Sequence, residues 1–323
     1  MTTTPANRLQ LTVLGGFLGS GKTTWLRHQL HHGLLANALI VVNEAAAVAV
    51  DGAILARASR TTMLSGGCAC CEGRADFLAL LRRIADARTG GTQAGAEPPP
   101  DHVVVETSGL ADPGALVEAI RSDPMLIHHI HVREIVVVVD GVNGFDQLAS
   151  EPLSRAQVEA ADRLVLTKTD AADPAALHRV VSVLAALNPG AGRTGTAMGS
   201  ETPLPEPDPV LAATAGLAAA DARPIVAARL ELGPEPDWTD FAVWLSALLH
   251  VHGDEIVRVK GVVRTPAGRL LLQSVRRTVQ PPELLPEPPT PAPEDNVVAV
   301  IGRGFSPEDL TRSLRRFTAA AAG

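Results

Sequence analysis

The stretch Gly16-Phe17-Leu18-Gly19-Ser20-Gly21-Lys22-Thr23 fits the pattern G-x-x-x-x-G-K-[ST]. It follows an apolar run, Leu9–Leu14, and opens a helical pattern, Lys22–Leu35. A strand, a glycine-rich turn and a helix in that order aim several backbone N–H groups at one anion, and the helix N-terminus adds its positive dipole end. Gly16, Gly19, Ser20 and Gly21 are therefore expected to cradle phosphates. Lys22 is expected to reach the β- and γ-phosphates, the Thr23 hydroxyl to ligate Mg2+, and Thr24 to bind the α-phosphate.

Outward from this loop, short apolar runs alternate with helical patterns. Strands are expected at Leu9–Leu14, Ala38–Val42, Thr61–Leu64, His102–Glu106, Glu134–Val139 and Arg163–Leu166, and further helices at Glu72–Arg88 and Pro174–Leu187. The near-continuous aliphatic runs mark strands buried on both faces. The fold class is α/β: a P-loop NTPase domain with a mostly parallel sheet over residues 1–200. Composition changes after Pro189: 190–222 is rich in Gly, Pro, Ala and Thr and reads as a linker segment with room for one strand, and 201–222 is taken as the linker between the two domains. A smaller α+β domain is expected over 223–323. Its strands are Pro224–Glu231, Glu255–Arg264, Leu270–Val275 and Val297–Gly302; its helices are Thr239–Leu249 and Pro307–Phe317.

Composition narrows the function. The 323 residues carry a net charge of −7, which argues against a nucleic-acid partner. No apolar run approaches the roughly 18–20 residues that span a bilayer, and the first fourteen residues lack a basic segment and a cleavage site. The expectation is a cytoplasmic protein without a membrane partner. Only three of the 28 basic residues are lysines, Lys22, Lys168 and Lys260, and two of them stand in nucleotide motifs. Arginine cannot replace a compact ammonium at a crowded phosphate.

Thr167-Lys168-Thr169-Asp170 follows an apolar strand and has the N/T-K-x-D form of a guanine-recognition turn. The Asp170 carboxylate would accept from guanine N1–H and the exocyclic amine, an arrangement adenine cannot match, and Lys168 would lay its stem over the base. The nucleotide is expected to be GTP. His102–Glu106 ends in a carboxylate followed by Thr107-Ser108-Gly109. Glu106 would hold a Mg2+-bound water or polarise the attacking one, and Gly109 would offer its N–H to the γ-phosphate. The alternative for Glu106 is a turn-capping carboxylate. Neither an arginine finger nor a water-orienting glutamine is assignable, so unassisted hydrolysis is expected to be slow.

All three cysteines lie within Cys68-Ala69-Cys70-Cys71. Three thiolates around one cation suit Zn2+ with an exchangeable fourth ligand, whereas a closed four-cysteine site would retain its metal. Co2+ and Ni2+ fit the same ligands. Buried unligated thiols and a redox pair are the competing readings. The histidines at 31 and 32, at 128, 129 and 131, and at 250 and 252 are read as ordinary surface residues.

These motifs together resemble the CobW-type GTPases, relatives of the UreG and HypB metallochaperones. The resemblance rests on GFLGSGKTT, a strand ending in Asn43-Glu44, GG-C-A-C-C, ETSGLADP over Glu106–Pro113, and TKTD. Weaker echoes are Val257–Gly261 and Val300–Gly302 in the C-terminal domain. It implies a GTPase that carries zinc, in some branches cobalt, on Cys68, Cys70 and Cys71 and delivers it to a client metalloprotein. It also implies nucleotide-dependent homodimerisation as an option. The family reads N-E-F-G-E at the first switch, where this chain has Asn43-Glu44-Ala45-Ala46-Ala47. Ala47 removes one acidic ligand and leaves Glu44 or Asp51 to complete the metal shell. Two other classes compete: a GTP-dependent switch or scaffold with structural cysteines, and a small-molecule kinase.

Overall fold

The computed structural model describes residues 8–35, 38–43, 60–64, 74–89, 98–214, 226–234, 236–253, 255–275, 278–279, 282–285, 287 and 295–321. The chain divides into two compact units, Met1–Leu187 with Ala191–Ala220 and Asn188–Gly190 with Asp221–Gly323.

In chain order the first unit contains β1 (Leu9–Gly15), α1 (Lys22–His31), β2 (Ala38–Asn43), β3 (Arg60–Leu64), α2 (Arg74–Thr89), β4 (His102–Glu106), α3 (Pro113–Arg121), α4 (Leu126–His129) and β5 (Ile130–Asp140). It continues with α5 (Gly144–Ser150), α6 (Pro152–Ala160), β6 (Arg163–Thr167), α7 (Pro174–Leu187), β7 (Gly192–Ala197), β8 (Ser200–Thr202) and α8 (Pro209–Thr214). The strands form one sheet in the order β3-β2-β4-β1-β5-β6-β7-β8, parallel except for the last pair.

Helices cover both faces of this sheet. Trp25, Leu26 and Leu30 of α1 pack into a buried cluster with Leu14, Val104, Val136, Val138 and Val165. Strand side chains alternate, so Val137 and Val139 point the other way. Pro113 of α3 approaches Gly15 beside Val137, and Gly144 of α5 lies between Val139 and Val180 of α7. Burial on both faces explains why these strands read as unbroken aliphatic runs.

Two expectations are corrected. Segment 190–222 adds β7 and β8 to the sheet, and α8 packs along α7, where a linker with one strand had been expected. Strand β7, Gly-Arg-Thr-Gly-Thr-Ala, is only half buried, so its place is set by backbone pairing with β6 and not by an apolar signal. Of the histidines at 128, 129 and 131, expected in a surface turn, His128 is exposed but His131 is not. His128 and His129 form α4, and His131 is buried within β5, which starts four residues before the expected Glu134 because β1 pairs with it from Leu9 onward. A shift of register at Leu11/Thr12 absorbs the irregular start.

The second unit contains β9 (Val226–Glu231), α9 (Trp238–His252), β10 (Ile256–Thr265), β11 (Gly268–Val275), β12 (Thr278–Val279), β13 (Glu283–Leu285), β14 (Val297–Gly302) and α10 (Pro307–Ala321). Its sheet is antiparallel in the order β12-β11-β10-β14-β9, with β13 paired to β11. Phe241, Trp244, Leu245 and Leu249 of α9 and Leu310 and Leu314 of α10 bury one sheet face around Val259, Val263, Val298 and Val300. The Asp237 side chain caps α9 by accepting from the N–H groups of Thr239 and Asp240. No helix among the described residues is long and apolar enough to cross a membrane.

Candidate functional site

The carboxyl ends of β1, β4, β5 and β6 finish along one edge, because the register pairs Leu14 with Glu106, Gly15 with Val137 and Asp140 with Thr167. Ligands of open parallel sheets bind at this edge. The loop from Gly16 leaves β1 there and turns into α1. Gly16 has φ 137°, and a Cβ on it would lie 2.3 Å from the Val138 carbonyl oxygen, so the loop has no room for another residue. Gly109 packs on the same loop, where a Cβ would stand 2.7 Å from Leu18 N.

The loop is held closed by Lys22, whose Nζ donates to the carbonyls of Gly16 (2.8 Å) and Phe17 (3.1 Å). Burial lowers the ammonium's pKa below the ordinary lysine value, against the pull of neighbouring Glu106. Thr23 Oγ1 donates to Glu106 Oε1 at 2.6 Å. Glu106 is 3% exposed, and its Oε2 is buried with no hydrogen-bond partner among the described residues. Burial raises its pKa above the usual carboxylate range, and the Thr23 hydrogen bond and Lys22 only partly oppose this. A hydroxyl and a buried carboxylate with an unused oxygen form an all-oxygen donor set. That set suits a hydrated Mg2+, which keeps several waters and takes one or two protein oxygens. Ser20 Oγ is fully buried and also lacks a partner.

Behind Glu106, Thr107 Oγ1 donates to the Leu14 carbonyl at 3.1 Å. The next turn is held by Gln157 of α6, whose Nε2 donates to the carbonyls of Gly109 (3.2 Å) and Ala111 (2.6 Å). Asp112 then caps α3 by accepting from Gly114 N and Ala115 N, with Pro113 at the first helical position.

At the other end of the loop, Thr167 Oγ1 donates to the Ser20 carbonyl at 2.6 Å, so its side chain braces the loop. Lys168 sits at φ 57°, and its Nζ donates to the Gly19 carbonyl (2.9 Å) and Asp140 Oδ2 (2.6 Å). Asp140 is 1% exposed and also accepts from Val142 N, Asn143 N and Asn143 Nδ2. Burial alone would raise its pKa, but the bonds from Lys168, Asn143 and Val142 prevail and hold it below the usual range. A cavity of about 320 Å³ opens between the start of α1 and this turn. Gly21, Thr24 and Trp25 line one wall, Thr167, Lys168 and Asp170 another, and Met198 and Gly199 of the β7–β8 turn a third.

The structure thus gathers Lys22, Thr23, Glu106 and Gly109 at one end of the loop, and Gly21, Thr24, Thr167, Lys168 and Asp170 at the other. Sequence reasoning missed Asp140, Gln157 and the Met198–Gly199 wall. Asp140 ends the run Ile135–Val139 as Glu106 ends Val103–Val105, so the same signal marked it. Cys68, Cys70, Cys71, Glu44 and Asp51 lie outside the described residues. Among the described residues no group of three or more His, Cys, Asp or Glu gathers to hold a metal.

The sequence model of the CobW/HypB/UreG nucleotide-binding domain matches residues 10–193, and that of the cobalamin synthesis protein CobW C-terminal domain matches residues 226–318. The zinc chaperone YjiA of Escherichia coli is 35% identical over 172 residues, which are 52% of this chain and 52% of that protein. The zinc chaperone CobW of Pseudomonas aeruginosa is 31% identical over 230 residues, covering 61% of this chain and 59% of the relative. The chain thus spans about half the length of the curated relatives it matches. The crystal structure of Zn(II)-bound YjiA GTPase from E. coli superimposes with a TM-score of 0.57 at 21% identity, covering 96% of this chain and 99% of that one. At that identity the likeness is one of fold.

Proposed function

This chain belongs to the CobW/HypB/UreG family, and from that premise we propose that it is a GTP-hydrolysing metallochaperone. In this reading it binds zinc at Cys68, Cys70 and Cys71, with Glu44 as a further ligand, and passes it to a client metalloprotein in a GTP-dependent step. The observation that carries the reading is one continuous cavity edge: the phosphate loop at Gly21 and Thr24 meets Lys168 and Asp170 around a single pocket of about 320 Å³. A nucleoside phosphate is the ligand that needs both ends at once.

GTP phosphates would take the Lys22 ammonium away from the Gly16 and Phe17 carbonyls. The Asp170 carboxylate would accept from guanine N1–H and the exocyclic amine. Mg2+, when bound, neutralises developing phosphate charge, and Thr23 and Glu106 would hold it, directly and through water. Gly109, fixed by Gln157, would carry its N–H to the γ-phosphate, so loss of that phosphate would free the turn. The relatives named as zinc chaperones support zinc as the cargo. Ala47, in place of the family's second acidic residue, favours one other reading, a GTP switch whose cysteines are structural.

Chelator-competition titration of Zn2+ on reduced protein tests the proposal. It is run without nucleotide, with GDP·Mg2+ and with a non-hydrolysable GTP analogue. The expected result is stoichiometric binding that shifts tenfold or more between nucleotide states, about 1.4 kcal/mol of coupling. It should vanish in the Cys68/Cys70/Cys71→Ser variant. Zinc binding that ignores the nucleotide selects the switch.

A further inference from the structure

Helix α1 carries a second chemical feature at the end opposite the phosphate loop. His28, His31 and His32 stand on its last turn and cap. The Nε2 atoms of His28 and His32 are 3.1 Å apart, with ring centroids 4.2 Å apart and planes tilted by 43°. Histidines at i and i+4 share one helix face, the spacing by which a helix presents two imidazoles to one metal ion. Two nitrogens each about 2.0–2.1 Å from a tetrahedral ion stand roughly 3.3 Å apart, close to the separation already present.

We propose that His28 and His32 form a two-histidine site for a borderline transition-metal ion such as Zn2+. Its remaining coordination positions are open to water or to a donor from a partner. His31 stands edge-on to His32 with centroids 5.5 Å apart and does not converge on the same point. With two protein ligands the site binds weakly and exchanges fast, unlike a thiolate site. The alternative for the 3.1 Å contact is a hydrogen bond between two neutral rings.

The site has a mechanical connection to the pocket. The His28 ring lies directly against Gly199, where a Cβ would fall 2.2 Å from His28 Cγ. Gly199 and Met198 form the wall facing Lys168 and Asp170. A metal ion that fixes the His28 ring also fixes this wall. If the pocket holds the guanine base, as proposed above, metal and nucleotide then raise each other's affinity by the same factor.

The test uses the full chain with Cys68, Cys70 and Cys71 changed to Ser, without nucleotide, titrated calorimetrically with Zn2+ alone. One equivalent is expected to bind. Binding should weaken at least tenfold in His32→Ala and in His28→Gln, and less than twofold in His31→Ala. Binding that His32→Ala leaves unchanged, or no binding below millimolar zinc, overturns the site. Should the cysteine variant not fold, the wild-type chain serves, and the second zinc equivalent must be the one lost in His32→Ala. A second arm measures GDP affinity with and without Zn2+. At least threefold tightening, absent in His32→Ala, is expected, and an affinity blind to zinc overturns the coupling. Failure of GDP to bind at all counts against the proposed function and not against the metal site, which is read without nucleotide.

Discussion

Thr23 Oγ1 donates to Glu106 Oε1 at 2.6 Å, linking the first turn of α1 to the end of β4 across 83 residues of sequence. Both groups are spoken for by one bond, yet Glu106 keeps a second oxygen buried and unpartnered beside it. A carboxylate in that position is costly until a cation or bound water arrives.

That cost predicts opposite effects on stability and activity. A carboxyl whose pKa is raised on folding favours the folded state while protonated, and the advantage is lost as pH rises through the raised value. The ligand-free protein should therefore lose stability as pH climbs above the ordinary glutamate value of 4.5, with burial the cause. Thermal melts of Glu106→Gln should show a higher Tm than wild type at neutral pH and a flatter pH profile. The same variant should release phosphate from GTP about 10²-fold more slowly. A lower Tm at neutral pH would contradict the burial argument.

Lys22 spends its ligand-free hydrogen bonds on two loop carbonyls, and its charge is already opposed by burial. Lys22→Ala is expected to leave the Tm of the ligand-free protein within a few degrees of wild type. Its GDP affinity should fall about 10²-fold, the worth of one or two charge-assisted bonds. Titration with a fluorescent GDP analogue separates the two effects. An unchanged affinity would remove the lysine from the phosphate site.

Asp170 lines the pocket beside Lys168, and in the proposed reading its carboxylate would set the hydrogen-bond pattern a base must offer. Asp170→Asn replaces an acceptor by a donor. Competition binding should show guanine nucleotide affinity falling at least tenfold, while a xanthine nucleotide, which carries a carbonyl in place of the exocyclic amine, gains. Equal losses for both bases would place base recognition elsewhere.

Asp140 ties the β5 end to Lys168 and to two backbone N–H groups. Its pKa is depressed, so its contribution is present above the ordinary aspartate value of 3.8 and is lost as pH falls through the folded value. Asp140→Ala should lower stability by about 1–3 kcal/mol at pH 7, because it removes a charge-assisted bond to Lys168 and two part-buried bonds from backbone N–H groups. Urea denaturation at pH 7 and again near pH 3.5 should show the difference narrowing in acid. The variant should also weaken guanine nucleotide binding, since Lys168 loses the anchor that holds its stem beside the pocket.

The sequence already marked the phosphate loop, Glu106 and the Thr167–Asp170 turn, and each lies at the sheet edge the register defines. Local rules sufficed there. A glycine pattern between strand and helix, and a carboxylate ending an aliphatic run, are set by a few neighbouring residues. Asp140 carries the same mark, a carboxylate ending an aliphatic run, but belongs to no motif. Strand β7 carried no mark, since a strand near the sheet edge, paired to β6 and the short β8 and only half buried, has no reason to be uniformly apolar.

The sequence by itself determined the class of sheet, the two-part organisation and the order in which the loop, the acidic strand end and the base-side turn occur. These follow from hydrophobic period and backbone chemistry, which are local properties. Only the tertiary structure decided that Thr167 braces the loop at Ser20, that Gln157 holds the turn at Gly109, and that the His28 ring lies on Gly199. These contacts join residues 147, 48 and 171 positions apart. Such distances are fixed by the order of strands in the sheet and the packing of helices upon it, which no short stretch of chain encodes.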